Sequence, residues 1–154
     1  MNVIIEIPKF SNIKYEYDTE LNKIIVDRFL HNTNSFPYNY GYVPNTLSPD
    51  GDPVDVILLC DYALFPGCQI KCKVIGGIET SDEEGLDHKI LCVPIDKIDA
   101  KSTFINNIED LNKNDLNMII YFLKHYKDNE SKFINVGEVY NKDTAEEIIK
   151  KYTL

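Results

Sequence analysis

Seven consecutive residues, Asp50-Gly51-Asp52-Pro53-Val54-Asp55-Val56, put three carboxylates within six positions. Carboxylates this close repel one another, and burial raises the cost of keeping them ionised. The apolar run Ile57-Leu58-Leu59-Cys60 follows at once, so the acids stand at the mouth of a strand and need compensating positive charge. A divalent cation with hard oxygen ligands meets that need. Asp, Gly and Pro are also ordinary turn residues, so a polar turn before a strand is an equal reading of this stretch by itself. A second acidic cluster, Ser81-Asp82-Glu83-Glu84-Gly85-Leu86-Asp87, precedes the alternating stretch His88–Val93, which carries Lys89. A solvated loop is the ordinary meaning of such a run. Two clusters, each at the end of an apolar strand, also admit convergence on one site.

The ionisable groups not explained as core are the acids Glu16, Asp50, Asp52, Asp55, Asp82 and Asp87 and the bases Lys14, Arg28, Lys89 and Lys127, with the phenols Tyr40 and Tyr126. Such a set suits a polyanionic substrate that arrives with several Mg²⁺ ions. The acids hold the metals, while Lys and Arg hold phosphate oxygens. A bound metal lowers the pKa of water, and a carboxylate not fully used as a ligand can take the proton. No Ser–His–acid or Cys–His constellation competes, because His31, His88 and His125 sit in unrelated contexts. A calcium-binding EF-hand loop does not fit either. Val54 and Asp55 occupy places where a ligand and the turn glycine are required, and no Glu stands at the twelfth place.

The elements that must position these groups are mostly strands. Residues 3–7 form a short strand ending at Pro8, and Ile13–Asp18 alternates strictly before a turn at 18–22 and a returning strand over Ile24–Phe29. Arg28 shares the apolar face of Ile24 and Val26, where an arginine ordinarily snorkels or pairs with a carboxylate. The prolines and the spacing-two aromatics Phe36, Tyr38, Tyr40 and Tyr42 predict a long ordered loop over His31–Ser48. Strands follow at Val54–Cys60, Cys68–Ile75 and His88–Val93, with a bend or bulge at Gly76-Gly77. After Pro94 the period becomes helical. Asn114 is placed to cap a helix bearing Leu116, Ile119, Ile120 and Leu123, Phe133–Val139 is a last short strand, and Asp143-Thr144-Ala145-Glu146 resembles a capping box for a C-terminal helix. Strands first and helices last make an α+β domain, and short, turn-separated strands suit a small closed barrel.

At 154 residues the chain is expected to be one domain, residues 1–154, with a real hydrophobic core. A formal net charge of −9 argues against a nucleic-acid partner, whose phosphates demand cations. No apolar run approaches a membrane span, and Met1-Asn2-Val3-Ile4-Ile5-Glu6 lacks the start of a signal peptide. Cys60, Cys68, Cys72 and Cys92 contain no C-x-x-C pair and fall in strand-like runs, so buried free thiols and a cytoplasmic location are expected.

Asp50–Val56 resembles the signature of the family I soluble inorganic pyrophosphatases, in their bacterial form. So do, in order, Glu6-Ile7-Pro8, Ile13-Lys14-Tyr15-Glu16, Val26-Asp27-Arg28-Phe29, Pro37-Tyr38-Asn39-Tyr40-Gly41-Tyr42, Asp82–Asp87 with Lys89, and His125-Tyr126-Lys127-Asp128. The resemblance implies an OB-like five-stranded closed β-barrel with flanking helices, the main ones C-terminal. It also implies Mg²⁺-dependent hydrolysis of pyrophosphate to two phosphates. On that likeness Asp50, Asp55 and Asp87 hold the first metal, with Asp55 bridging to a second. Asp82 joins Asp87 at a metal arriving with substrate, and Glu16 assists at another. Asp52 is the general base, and Lys14, Arg28, Tyr40, Tyr126 and Lys127 hold the phosphoryl groups with Lys89 nearby. Bacterial members are typically homohexamers. Three departures stand out: Phe36 replaces a common Tyr, the N-terminal stretch before the first strand is short, and a C-terminal Trp near Gly137 is absent. A nucleotide-directed metal phosphohydrolase and a non-catalytic OB-type binding module are the alternatives, and clustered acids fit the latter poorly.

Overall fold

The computed structural model describes residues 1–154. Its first strand, β1 (Asn2–Ile7), alternates, with Val3, Ile5 and Ile7 buried. Strands β2 (Ile13–Asp18) and β3 (Lys23–Phe29) form a separate antiparallel hairpin. Its turn contains Asn22 at φ 52°, a left-handed conformation that Asn tolerates.

The remaining strands are β4 (Asn39–Tyr42), β5 (Asp55–Leu58), β6 (Gln69–Asp82), β7 (Gly85–Pro94) and β8 (Asn135–Asn141). With β1 they make one mixed sheet in the order β1-β4-β5-β7-β6-β8, and β1 additionally pairs with β6. Only β5 and β7 run parallel. The α+β class and the late helices agree with expectation. Beyond the strands expected of a five-stranded barrel, β8 joins the outer side of β6, while β2 and β3 pair only with each other.

The expected loop over His31–Ser48 is interrupted by β4, which lies between β1 and β5 and pairs with both. Of the aromatics at spacing two, Tyr40 and Tyr42 fall in this strand, while Phe36 and Tyr38 precede it. Gly41 permits the close approach, since a Cβ there would stand 2.0 Å from the Ile4 carbonyl oxygen. The expected interruption at Gly76-Gly77 is a shift in register between Val74 and Gly76, but the strand continues through it to Asp82. At Gly77 an added Cβ would meet the Tyr140 ring at 2.4 Å.

After Asp55, strand β5 is apolar because both its faces are covered. Ile57 packs into a layer with Leu91, Phe36 and the helical residues Ile119, Phe122 and Leu123, whereas Val56 and Leu58 join Val3, Ile5, Ile90, Cys92 and Ala145. Helix α1 (Lys113–His125) supplies the first layer and α2 (Lys142–Tyr152) the second. The α1 cap is Asn112, whose side chain accepts from Asn114 N–H, two residues ahead of the expected cap. Asn141 caps α2 by accepting from Thr144 N–H, so the helix starts before the acidic capping-box sequence. All four cysteines are free. Cys72 and Cys92 are buried as expected, while Cys60 and Cys68 are only partly so. No helix is long and apolar enough to cross a membrane.

Candidate active site

A cleft of about 820 Å³ opens between the β2–β3 hairpin, the Asp50–Pro53 loop, the tip of the β6–β7 hairpin and the end of α1. All twelve residues expected from the sequence line it: Lys14, Glu16, Arg28, Tyr40, Asp50, Asp52, Asp55, Asp82, Asp87, Lys89, Tyr126 and Lys127. A second hollow of about 660 Å³, between β6 and α2, contains one carboxylate, Glu146, and none of these residues.

The acidic loop is built by local bonding. Gly51 sits at φ +91°, the conformation that a side chain resists, and the Asp52 N–H donates to Asp50 Oδ1 at 3.0 Å. The Ser48 N–H donates to the Asp52 carbonyl at 2.7 Å, closing the turn from the other side. Buried Thr46 then ties the loop to the sheet, donating to the Val43 carbonyl at 2.6 Å and accepting from Val54 N–H at 2.9 Å. The chain therefore enters β5 with Asp55 as its first residue, opposite Lys89 in the parallel ladder. At the other acidic cluster, Gly85 at φ +116° and a bond from Glu84 N–H to Asp82 Oδ1 (2.8 Å) form the hairpin tip. Asp82 closes β6, and Asp87 lies two residues before Lys89 on β7.

Lys89 is the buried centre of this arrangement, 5% exposed. Its ammonium donates to Asp55 Oδ2 at 2.7 Å, Asp87 Oδ2 at 2.6 Å and the Tyr40 hydroxyl at 2.7 Å, which uses all three of its protons. Burial alone would favour the neutral amine. The facing Asp55, Tyr40 and Asp87 outweigh it and hold the ammonium charged. The resemblance implies Lys89 near the phosphates; here its protons go to Asp55, Asp87 and the Tyr40 hydroxyl.

Above Lys89 the acids are crowded. Asp87 is pushed up to about 6, first by burial and then by Asp55, despite the Lys89 ion pair. Asp52 is raised by burial and by Asp50 and Asp55, and Glu16 by burial and the nearby Asp27 and Asp52. Glu6, which sequence reasoning left outside the site, also lines the cleft and is raised to about 7 by burial, with Asp55 and Glu16 adding. The available signal was a lone acid between Ile5 and Ile7 on an apolar strand. No three carboxylates stand close enough to form a ready-made metal cluster. The donor set nevertheless fits divalent cations, being all oxygen and crowded with carboxylates whose repulsion a cation would relieve.

The cationic wall faces these acids. Lys14 and Arg28 are register partners on the hairpin, and both reach Asp27, at 3.3 Å from Lys14 and 2.8 Å from Arg28 Nε. Arg28 also pairs with Glu130 just beyond α1. Lys127 follows the α1 cap, and its ammonium is depressed by burial and then by Lys14 and Lys89. Cations that repel one another at a cleft mouth form a receptor for an anion. Tyr126 stacks on Phe122 with centroids 4.9 Å apart, and buried Phe36 lies 4.7 Å from Phe122 and 5.6 Å from Tyr40. His88 and His125 lie elsewhere, bonded to Tyr140 (3.0 Å) and Asp128 (2.9 Å).

Comparison with known proteins gives a consistent result. The family profile described as Inorganic pyrophosphatase matches residues 3–153. An inorganic pyrophosphatase of Rickettsia typhi is 48% identical over 153 residues, covering 98% of this chain and 86% of the relative. One from Helicobacter pylori strain J99 is 45% identical over 150 residues, covering 97% and 87%. Among solved structures, a Helicobacter pylori inorganic pyrophosphatase superposes with a TM-score of 0.96 at 43% identity, covering 99% of this chain and 90% of that one. The Thermus thermophilus inorganic pyrophosphatase gives 0.92 at 33% identity, covering 97% and 87%.

Proposed function

Because the chain belongs to the inorganic pyrophosphatase family, we propose that it hydrolyses inorganic pyrophosphate to two orthophosphates with Asp52 as the general base. The observation that carries this reading is the convergence of Asp50, Asp52 and Asp55 with Asp82 and Asp87 across one cleft from Lys14, Arg28 and Lys127. The family implies a divalent metal; we take it to be Mg²⁺, several ions per site, held by Asp50, Asp55, Asp82 and Asp87 with help from Glu16. Those ions supply Lewis acidity toward water and neutralise pyrophosphate charge.

The protein's own groups account for the rest. Lys14, Arg28 and Lys127 bind the two phosphoryl groups by charge-assisted hydrogen bonds, with the Tyr40 and Tyr126 hydroxyls completing the set. Arg28 exchanges its Glu130 pairing for a phosphate oxygen. Lys89 holds the Asp55 and Asp87 carboxylates in place through its two ion pairs. Asp52 accepts the proton of the attacking water at a carboxylate oxygen; its raised pKa strengthens it as a base. The β1–β6 pairing, which turns the sheet back on itself, supports reading strands β1, β4, β5, β7 and β6 as a closed OB-like barrel. We read residues 1–154 as a single pyrophosphatase domain of the cytoplasm. Phe65, Phe104 and Phe133, each 84% exposed, support self-association, for which a homohexamer is our proposal. Sedimentation of the purified chain checks it.

The decisive experiment is phosphate release from pyrophosphate with Mg²⁺ and after chelation, beside a nucleotide panel. Activity on pyrophosphate alone, abolished by chelator, is expected. Asp52→Asn is expected to lower kcat by about 10²–10⁴-fold with the circular dichroism spectrum unchanged. Near-normal turnover in that variant would remove Asp52 from the base role.

A further inference from the structure

The β2–β3 hairpin carries Lys14, Glu16 and Arg28, yet it shares no ladder with the six-stranded sheet. Its base is tied to the chain near Phe36 through Phe10 N–H to the Phe36 carbonyl and Phe36 N–H to the Ser11 carbonyl, both 2.8 Å. Further out, the main chain of β2 makes one hydrogen bond to the large sheet. The Tyr17 N–H donates to Glu6 Oε2 at 2.9 Å. Glu6 projects from β1, a strand fixed on both sides by β4 and β6. A stack of Tyr17 on Tyr42, with centroids 6.1 Å apart, lies at the same place on the hairpin.

We propose that Glu6 is a positioning residue that latches the main chain of β2 to the rigid sheet and so sets where Lys14, Glu16 and Arg28 stand over the cleft. Its work is done by an acceptor oxygen at a given reach from β1, which Gln reproduces and Asp, one methylene shorter, does not. A hairpin without the latch still folds, because its own ladder and its base are intact, but its cations present themselves to pyrophosphate in many orientations. Substrate affinity suffers first. The inference rests on the proposed substrate roles of Lys14 and Arg28.

The test uses the full chain with Mg²⁺ and compares Glu6→Asp with Glu6→Gln. Steady-state kinetics on pyrophosphate is paired with hydrogen–deuterium exchange of the peptide spanning 13–18, read without substrate. For Glu6→Asp the expected result is a KM raised about tenfold with kcat changed far less, and faster exchange in β2 but not in β4 or β5. Glu6→Gln is expected to rescue both readouts to within about twofold of the parent. A Glu6→Gln variant as impaired as Glu6→Asp, or unchanged β2 exchange in Glu6→Asp, would overturn the latch. Faster exchange with an unchanged KM would leave the latch standing and overturn instead the assignment of Lys14 and Arg28 to substrate.

Discussion

Lys89 brings one positive charge into the base of a cleft lined by eleven carboxylates and only five cationic side chains. The imbalance makes its substitution informative. Lys89→Met leaves Asp55 and Asp87 without their partner and is expected to destabilise the metal-free protein by about 3 kcal/mol. Added Mg²⁺ should recover more melting temperature in this variant than in the parent, which calorimetry with and without chelator measures. Glu6 offers a pH test. Its carboxyl titrates near 7 in the fold against an ordinary 4.5, so the folded state favours the protonated form. That contribution is fully present below about pH 4.5 and is lost as pH rises through 7. In chelator, Glu6→Gln should therefore be more stable than the parent at pH 8 and lose less stability between pH 5 and 8, as urea midpoints would show. Among the proposed substrate groups, Arg28→Ala is expected to raise KM for pyrophosphate about tenfold or more, since a charge-assisted pair would be lost.

The elements differ in how they hold the site. Strand β4 lies so close to β1 that Gly41→Ala would drive a Cβ into the Ile4 carbonyl. We expect a loss of about 3 kcal/mol by chemical denaturation, with lower kcat because Tyr40 shifts with the strand. The same strand shows what the sequence concealed. Asn39 and Gly41 are loop-forming residues by composition, and only a partner on each side makes them a strand. Strands β2, β3 and β7 were legible because alternation is a local signal, and α1 because Leu116, Ile119, Ile120 and Leu123 recur at helical spacing. The helix caps were off by about one turn or less, since several Asn residues compete at each end. The acidic clusters could be found from their types and order. That Lys89 would spend its protons on Asp55, Asp87 and Tyr40, or that Glu6 would reach Tyr17, depends on tertiary contacts that no local pattern encodes.

For the molecule as a whole, the net charge of −9 is concentrated where metal is required. Divalent cations should therefore act as folding ligands. At about 100 times the dissociation constant, one site adds about 2.7 kcal/mol, and a melting curve that rises with Mg²⁺ concentration is the check. The parallel pairing of β5 with β7 has one more consequence. Asp55 faces Lys89 at the first rung, and the three rungs beyond it pair only apolar residues: Val56 with Ile90, Ile57 with Leu91 and Leu58 with Cys92. A nascent chain that zipped these strands one step out of phase would turn the lysine to the wrong face and strand its charge in oil. The pocket's ion pair is therefore expected to mark the correct alignment before any pyrophosphate arrives, and an all-apolar replacement of Asp55 and Lys89 should keep the grease but admit slipped registers.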